Sequence, residues 1–184
     1  LDYGFACFPR DGDSVEAMIR NTQIALDTSA SQEHSNYLIF NDRLGETIAR
    51  QNKLQLAMRD ALAQHQFQLY FQPQLSLHEN KIIGAEVLLR WQLEGQWISP
   101  DEFIPLAERS GLILQLGDWI LTQACLKARE MMNMGFEQLV TAVNISPKQF
   151  TAPNFVDQVT RALSDSGLPA HNLELEITEG VLFN

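Results

Sequence analysis

The alternation of strand-like and helix-like segments beyond Phe67 is the feature that most restricts the fold. Apolar runs over Phe67 to Gln72 and Ile82 to Trp91 predict two strands, and a later strand is predicted over Leu173 to Thr178. Strands that alternate with helices indicate an α/β protein with a parallel sheet and helices outside it. A barrel of this kind takes about 250 residues. We therefore expect a chain of 184 residues to contain only the first half of such a barrel.

Helix starts in this part of the chain are marked by Ser-Pro pairs. Ser99-Pro100-Asp101-Glu102 supplies an N-cap, a proline at the first helical position and a capping-box glutamate. Ser146-Pro147-Lys148-Gln149 marks a second start in the same way. Between them we predict a helix from about Asp118 to Met134 and a strand over Leu139 to Ile145.

The N-terminal residues predict a small α+β remnant. Its three elements are a strand over Tyr3 to Phe8, a helix over Val15 to Leu26, and a strand over Tyr37 to Phe40. Asp13 and Glu16 are expected to cap the helix. Because about 40 residues cannot bury an adequate core, these elements are interpreted as part of a larger domain. A linker helix is expected to follow from Asp42 to His65.

Composition excludes several classes of protein. The formal net charge of −10 disfavours binding to duplex nucleic acid through phosphate neutralisation. No apolar run reaches the roughly 18 to 20 residues of a membrane span. We therefore expect a cytoplasmic chain, with any membrane attachment made by segments outside it. Cys7 and Cys125 lack metal or redox spacing and are interpreted as buried free thiols.

Acid and amide side chains recur at three predicted strand ends. Glu86 lies in the second strand, Asn144 ends the next, and Glu176 and Glu179 end the last. Oxygen ligands of this kind suit Mg²⁺ or Mn²⁺. Each could instead be a solvated polar residue, but their recurrence at successive strand ends favours a site.

Several motifs together resemble the N-terminal half of EAL domains. In chain order they are Tyr70-Phe71-Gln72-Pro73-Gln74, Glu86-Val87-Leu88-Leu89-Arg90-Trp91, Phe103-Ile104-Pro105-Leu106-Ala107-Glu108, Val143-Asn144-Ile145-Ser146-Pro147 and Glu174-Leu175-Glu176-Ile177-Thr178-Glu179. The segment from Gly4 to Gly12 resembles the end of a GGDEF domain. The resemblances imply a GGDEF-like remnant over residues 1–41, a linker helix over 42–53 and the first part of an EAL domain over 54–184.

The EAL resemblance implies a modified TIM (β/α)8 barrel that hydrolyses cyclic di-GMP to linear pGpG with two Mg²⁺ or Mn²⁺ ions. It also implies roles for particular residues. Glu86, Asn144 and Glu176 would be metal ligands, Glu179 would be catalytic and hold an active-site loop, Arg90 would contact a phosphate, and Gln72 and Leu89 would line the substrate pocket.

The resemblance leaves two other functions open. Val87 stands where the family's name motif has alanine, a change beside the expected ligand Glu86. A catalytically inactive cyclic di-GMP receptor is the first alternative, and a protein-interaction module is the second. A homodimer is expected under the enzymatic interpretation.

Overall fold

The computed structural model describes residues 1–30 and 36–177. The chain divides into two compact units, Leu1–Leu56 and Ala57–Asn184. No helix in the described ranges is both long enough and apolar enough to cross a membrane.

The first unit is a small α/β arrangement. Its elements are β1 (Tyr3–Phe5), α1 (Val15–Ala30), β2 (Tyr37–Ile39) and most of α2 (Asp42–Ala61). β1 and β2 pair in parallel. A Cβ atom at Gly4 would overlap the backbone of Leu26, so β1 lies directly against α1. The expected cap of α1 is wrong: Ser14, not Asp13, precedes the helix, and its Oγ accepts from the backbone N–H of Ala17 at 3.2 Å.

The second unit builds one mixed sheet with helices beside it. Its elements are β3 (Phe67–Ser76), β4 (Lys81–Leu93), β5 (Gln96–Ile98), α3 (Pro100–Ser110), α4 (Ile113–Asn133), β6 (Val140–Ile145), α5 (Pro147–Phe150), α6 (Phe155–Ser166), a 3₁₀ turn (Ala170–Asn172) and β7 (Leu173–Ile177). The strand order is β3-β4-β6-β7, with β5 also paired to β4.

Strand direction departs from the expected parallel sheet at its start. β4, β6 and β7 run parallel, as predicted, but β3 and β5 run antiparallel to β4. Only residues 77–80 join β3 to β4, and a connection this short produces a hairpin. The unpredicted strand β5 follows a two-residue turn at Glu94 and Gly95, whose φ angles are 51° and 80°.

The helix boundaries confirm some sequence cues and correct others. α3 begins at Pro100 as expected, but the side chain of Ser99 makes no capping hydrogen bond. The complete capping box lies at Ser146 and Gln149 instead. α3 ends at Ser110 and is followed by Gly111, whose φ of 78° suits glycine, and α4 begins at Ile113, earlier than expected.

The core lies between the sheet and its helices. Alternation along β4 places Val87, Leu89 and Trp91 on the buried, helix-covered face. Val87 packs in one cluster with residues of α4, β6 and α6, including Leu121, Val143 and Ala162. The opposite face of the sheet therefore carries the other residues of β4.

The two cysteines differ in exposure, and the prediction that both are buried is wrong for Cys7. Cys7 is exposed, whereas Cys125 is buried in α4. Burial raises the pKa of the Cys125 thiol to about 11. At about pH 8 we expect iodoacetamide to label Cys7 in the folded protein and Cys125 only after unfolding, because the thiolate is the reactive form. Mass spectrometry of the labelled peptides measures this, and equal labelling of both thiols in the folded protein would contradict the placement of Cys125.

Candidate active site

The three predicted metal ligands lie on one face of the sheet, on three neighbouring strands. Glu86 of β4 is in register with Ala142 of β6, and Asn144 follows two residues later on the same face. Asn144 is in turn in register with Glu176 of β7. The amide Nδ2 of Asn144 donates to Oε1 of Glu86 at 2.8 Å. Because Nδ2 is used in this way, Oδ1 of Asn144 is the atom that can bind a cation.

Negative charge accumulates on this face. Burial raises the pKa of the Glu176 carboxyl, and the charges of Glu86 and Glu174 raise it further. Glu174 is in register with Ala142, so it lies on the same face one step along β7. A cation would relieve this repulsion, and two carboxylates with one amide oxygen are a ligand set that fits Mg²⁺ or Mn²⁺. Within residues 1–30 and 36–177, no three His, Cys, Asp or Glu side chains form a metal cluster.

Because the pKa of Glu176 is raised, its ionised carboxylate is expected to lower the stability of the metal-free protein. Ionising this carboxyl costs more in the folded chain than in the unfolded chain, so it destabilises the metal-free fold once the pH rises above its ordinary pKa. In chelator, Glu176→Gln is expected to raise the thermal midpoint at neutral pH, with the gain disappearing below about pH 4. Added Mg²⁺ should stabilise the wild type and not the variant. Equal stabilisation of both by Mg²⁺ would remove Glu176 from the ligand set.

The predicted substrate residues divide between the two faces of β4. Gln72 of β3 is in register with Glu86 and is exposed on the same face. Arg90 lies on that face too, four residues beyond Glu86, and its Nη1 donates to the carbonyl of Leu89 at 2.9 Å. The side chain of Leu89 points to the opposite, buried face. Leu89 nevertheless lines a cavity of about 290 Å³ that also contains Arg90 and Asn144.

That cavity is mainly apolar and lies beside the candidate ligands. Its apolar lining includes Pro100, Ile104 and Ile113 from the two helices after β5. Arg90 and Asn144 are among its polar residues. An apolar recess with a few polar groups suits an organic ligand better than a lone ion.

The loop after Asn144 is fixed by a capping box. Ser146 Oγ accepts from the backbone N–H of Gln149 at 3.2 Å, and Gln149 Oε1 accepts from the backbone N–H of Ser146 at 3.2 Å. Gln149 is buried against Gly117 of α4, where any Cβ atom would overlap its amide. The arrangement holds the end of β6, and with it Asn144, against the helix layer.

Two aromatic residues near Arg90 were not predicted as part of the site. The Arg90 guanidinium carbon lies 5.6 Å from the centroid of the Tyr70 ring, and the Tyr70 ring is 6.1 Å from that of Trp97. The period of two along β3 places Tyr70 on the same face as Gln72, so its position was available from the sequence. The position of Trp97 could not be predicted from the sequence, because it depends on the unpredicted strand β5. Glu179 lies outside the described residues, and its catalytic role stays a prediction.

The fold and the site define an α/β domain whose sheet carries acid and amide oxygens on one face of three neighbouring strands. Asn144 and Glu176 lie next to strand ends as predicted, but Glu86 lies in the middle of β4, so the prediction of a strand end is wrong for Glu86. The chain belongs to the EAL domain family, which matches residues 55–184. It is 36% identical over 180 residues to the cyclic di-GMP phosphodiesterase NbdA of Pseudomonas aeruginosa, covering 97% of this chain and 23% of that protein.

Two further comparisons involve a second Pseudomonas aeruginosa protein. The bifunctional diguanylate cyclase/cyclic di-GMP phosphodiesterase MucR is 34% identical over 177 residues, covering 96% of this chain and 26% of MucR. A structure of the MucR phosphodiesterase in complex with c-di-GMP superimposes with a TM-score of 0.69 at 38% identity, covering 72% of this chain and 54% of that one. The chain therefore spans about a quarter of the length of these curated relatives.

Proposed function

We propose that this chain forms part of a metal-dependent phosphodiesterase that hydrolyses cyclic di-GMP to linear pGpG. The observation that carries the proposal is the placement of Glu86, Asn144 and Glu176 on one sheet face, with a 2.8 Å hydrogen bond joining the first two. The likeness to NbdA and MucR, which are named as cyclic di-GMP phosphodiesterases, supports the choice of substrate.

Each predicted site residue has a part in the proposed reaction. Glu86, Asn144 and Glu176 would hold Mg²⁺ or Mn²⁺, in a two-metal site that other residues complete. The chemistry supplied by the bound ions is charge neutralisation at the phosphodiester and activation of a water nucleophile. Arg90 would pair with a phosphate oxygen, since its fork of N–H donors matches two oxygens at once. Gln72 would bind the ligand beside Glu86, Leu89 would line the neighbouring cavity, and Glu179 would act as the catalytic loop-holding residue.

The proposal extends to the architecture around the site. The mixed sheet is the first part of a modified TIM barrel over residues 54–184, preceded by a linker helix over 42–53. Residues 1–41 are the end of a GGDEF-like domain. This assignment is supported by the match to MucR, a bifunctional diguanylate cyclase and phosphodiesterase, over 96% of the chain. A cytoplasmic homodimer is the proposed state.

The valine in the name motif does not favour the receptor alternative. Val87 is buried with the residues of α4 and β6, on the face opposite Glu86. Its two extra methyl groups relative to alanine therefore meet the core and the apolar cavity that Val87 also lines, and not the face that carries Glu86, Asn144 and Glu176.

The test is hydrolysis of cyclic di-GMP by the complete protein that carries this chain, in Mg²⁺ or Mn²⁺. Calorimetry with Ca²⁺ in place of those ions measures binding in parallel. Turnover to pGpG is the expected result. Binding without turnover would show that the protein is a cyclic di-GMP receptor and not an enzyme. Absence of both binding and turnover would favour the protein-interaction module.

A further inference from the structure

Arg90 is flanked on its own strand by two positions that each face an aromatic residue. Tyr70 of β3 is in register with Leu88, and Trp97 of β5 is in register with Gln92. Leu88, Arg90 and Gln92 share one face of β4 because they are two residues apart. Tyr70 and Trp97 therefore lie on the face of Arg90 and Glu86, one from each side of β4.

The contacts form a series that ends at the guanidinium. The rings of Trp97 and Tyr70 meet edge to face, with centroids 6.1 Å apart and planes at 77°. The Arg90 guanidinium lies over the Tyr70 ring at 5.6 Å, within the range of a cation–π contact. Nη1 of Arg90 donates to the carbonyl of Leu89, and its remaining N–H donors make no hydrogen bond in the described part of the chain.

Neither ring belongs to the core beneath the helices. Tyr70 and Trp97 lie on the face of Glu86 and Arg90, whereas Trp91 on the other face of β4 is fully buried. The turn at Glu94 and Gly95 folds β5 back onto β4 and so returns Trp97 to the neighbourhood of Tyr70. Gln92 Nε2 donates to the carbonyl of Gly95 at 3.4 Å across this hairpin.

We propose that Tyr70 and Trp97 are positioning residues that hold the Arg90 guanidinium for a phosphate of the substrate. Arginine has a long flexible side chain, and its forked donors bind a phosphate strongly only when their direction is set. One edge of the fork is fixed by the Leu89 carbonyl and one face by the Tyr70 ring, which leaves the other donors for the ligand. The inference rests on the proposed function and adds two residues to it.

The test is a mutational cycle in the complete protein, with kcat and KM measured for cyclic di-GMP. Tyr70→Leu is expected to raise KM about two- to fivefold, the range that a cation–π contact at an exposed site supports, with little change in kcat. Tyr70→Phe should match the wild type, because the ring remains. Trp97→Leu should raise KM by a smaller factor, and Trp97→Phe should restore it.

The Arg90→Ala background distinguishes positioning from a general structural role. There, Tyr70→Leu and Trp97→Leu should have no further effect, because they act through the missing guanidinium. Affinity in Ca²⁺ provides the same cycle if turnover of Arg90→Ala is too slow to measure. Phe136→Leu, at a 56% exposed ring after α4, is the matched control and should leave KM unchanged.

Each failure has its own signature. An active wild type whose Tyr70→Leu variant has the same KM overturns this inference alone, as does an equal loss in the presence and absence of Arg90. Loss in Tyr70→Phe equal to that in Tyr70→Leu also overturns it, since the hydroxyl and not the ring would then matter. A wild type that neither binds nor hydrolyses cyclic di-GMP overturns the proposed function and this inference with it.

Discussion

Glu86→Ala is expected to abolish hydrolysis of cyclic di-GMP by the complete protein, with a loss of at least about a hundredfold in kcat. Removal of a residue that only supports a metal ligand costs roughly 10- to 100-fold in affinity or activity, so removal of a ligand should cost no less. The change also removes the acceptor for Asn144 Nδ2, which leaves that amide free to rotate. Steady-state turnover and metal content measured together check the prediction.

Two companion variants separate charge from shape. Glu86→Gln keeps an oxygen that can accept from Asn144 but lacks the negative charge, and it should be as inactive as Glu86→Ala. Glu79→Ala removes an exposed carboxylate in the turn between β3 and β4 and should leave turnover unchanged. Undiminished hydrolysis in Glu86→Ala would end the assignment of Glu86 as a metal ligand. Activity in Glu86→Gln alone would reduce its role to holding Asn144.

Trp91→Ala is expected to lower the free energy of unfolding by about 3 to 5 kcal/mol, the usual cost of truncating a buried aromatic side chain. Trp91 is fully buried, with its ring centroid 5.5 Å from that of Phe67 and 5.4 Å from that of Phe103. Its Nε1 donates to Oε1 of Gln66 at 3.3 Å. The variant therefore loses apolar burial, leaves a cavity and removes the donor to Gln66 Oε1.

The unfolding transition of the EAL domain, followed by circular dichroism in urea, measures this loss. Trp91→Phe should be affected less, because it keeps an aromatic ring against Phe67 and loses mainly the hydrogen bond. Leu77→Ala is the control, since Leu77 is 91% exposed in the turn after β3. A loss in Trp91→Ala no larger than that in Leu77→Ala would contradict the packing described around β4.

The fold was predictable where local pattern decides it. The apolar run over Ile82 to Trp91 and the Ser-Pro pairs before α3 and α5 identify their elements because strand period, N-caps and proline act within a few residues. Strand direction is decided by how two strands are joined. The four-residue connection between β3 and β4 indicates an antiparallel pair. The alternation of strands and helices later in the chain led instead to the prediction of a fully parallel sheet.

The site was predictable in its ligands and less so in its surroundings. Glu86, Asn144 and Glu176 were grouped because strand ends of a parallel sheet meet at one edge, and the structure places all three on one face, although Glu86 lies in the middle of β4. The residues around Arg90 depend on the register of β4 with its antiparallel neighbours β3 and β5, and no sequence pattern predicted β5. The side chain of Leu89 points to the buried face because alternate residues of a strand point to opposite faces. The family motif alone does not indicate this orientation.

The contact between Gly117 and Gln149 implies a constraint on how this sequence can diverge. No side-chain atom at position 117 fits beside the buried Gln149 amide, and the same glutamine closes the capping box that follows Asn144. A side chain at position 117 would therefore displace the Gln149 amide and break the hydrogen bond that closes the capping box. Among relatives, we expect a larger residue at the position of Gly117 to be accompanied by a shorter one at the position of Gln149, so that the two positions vary as a pair.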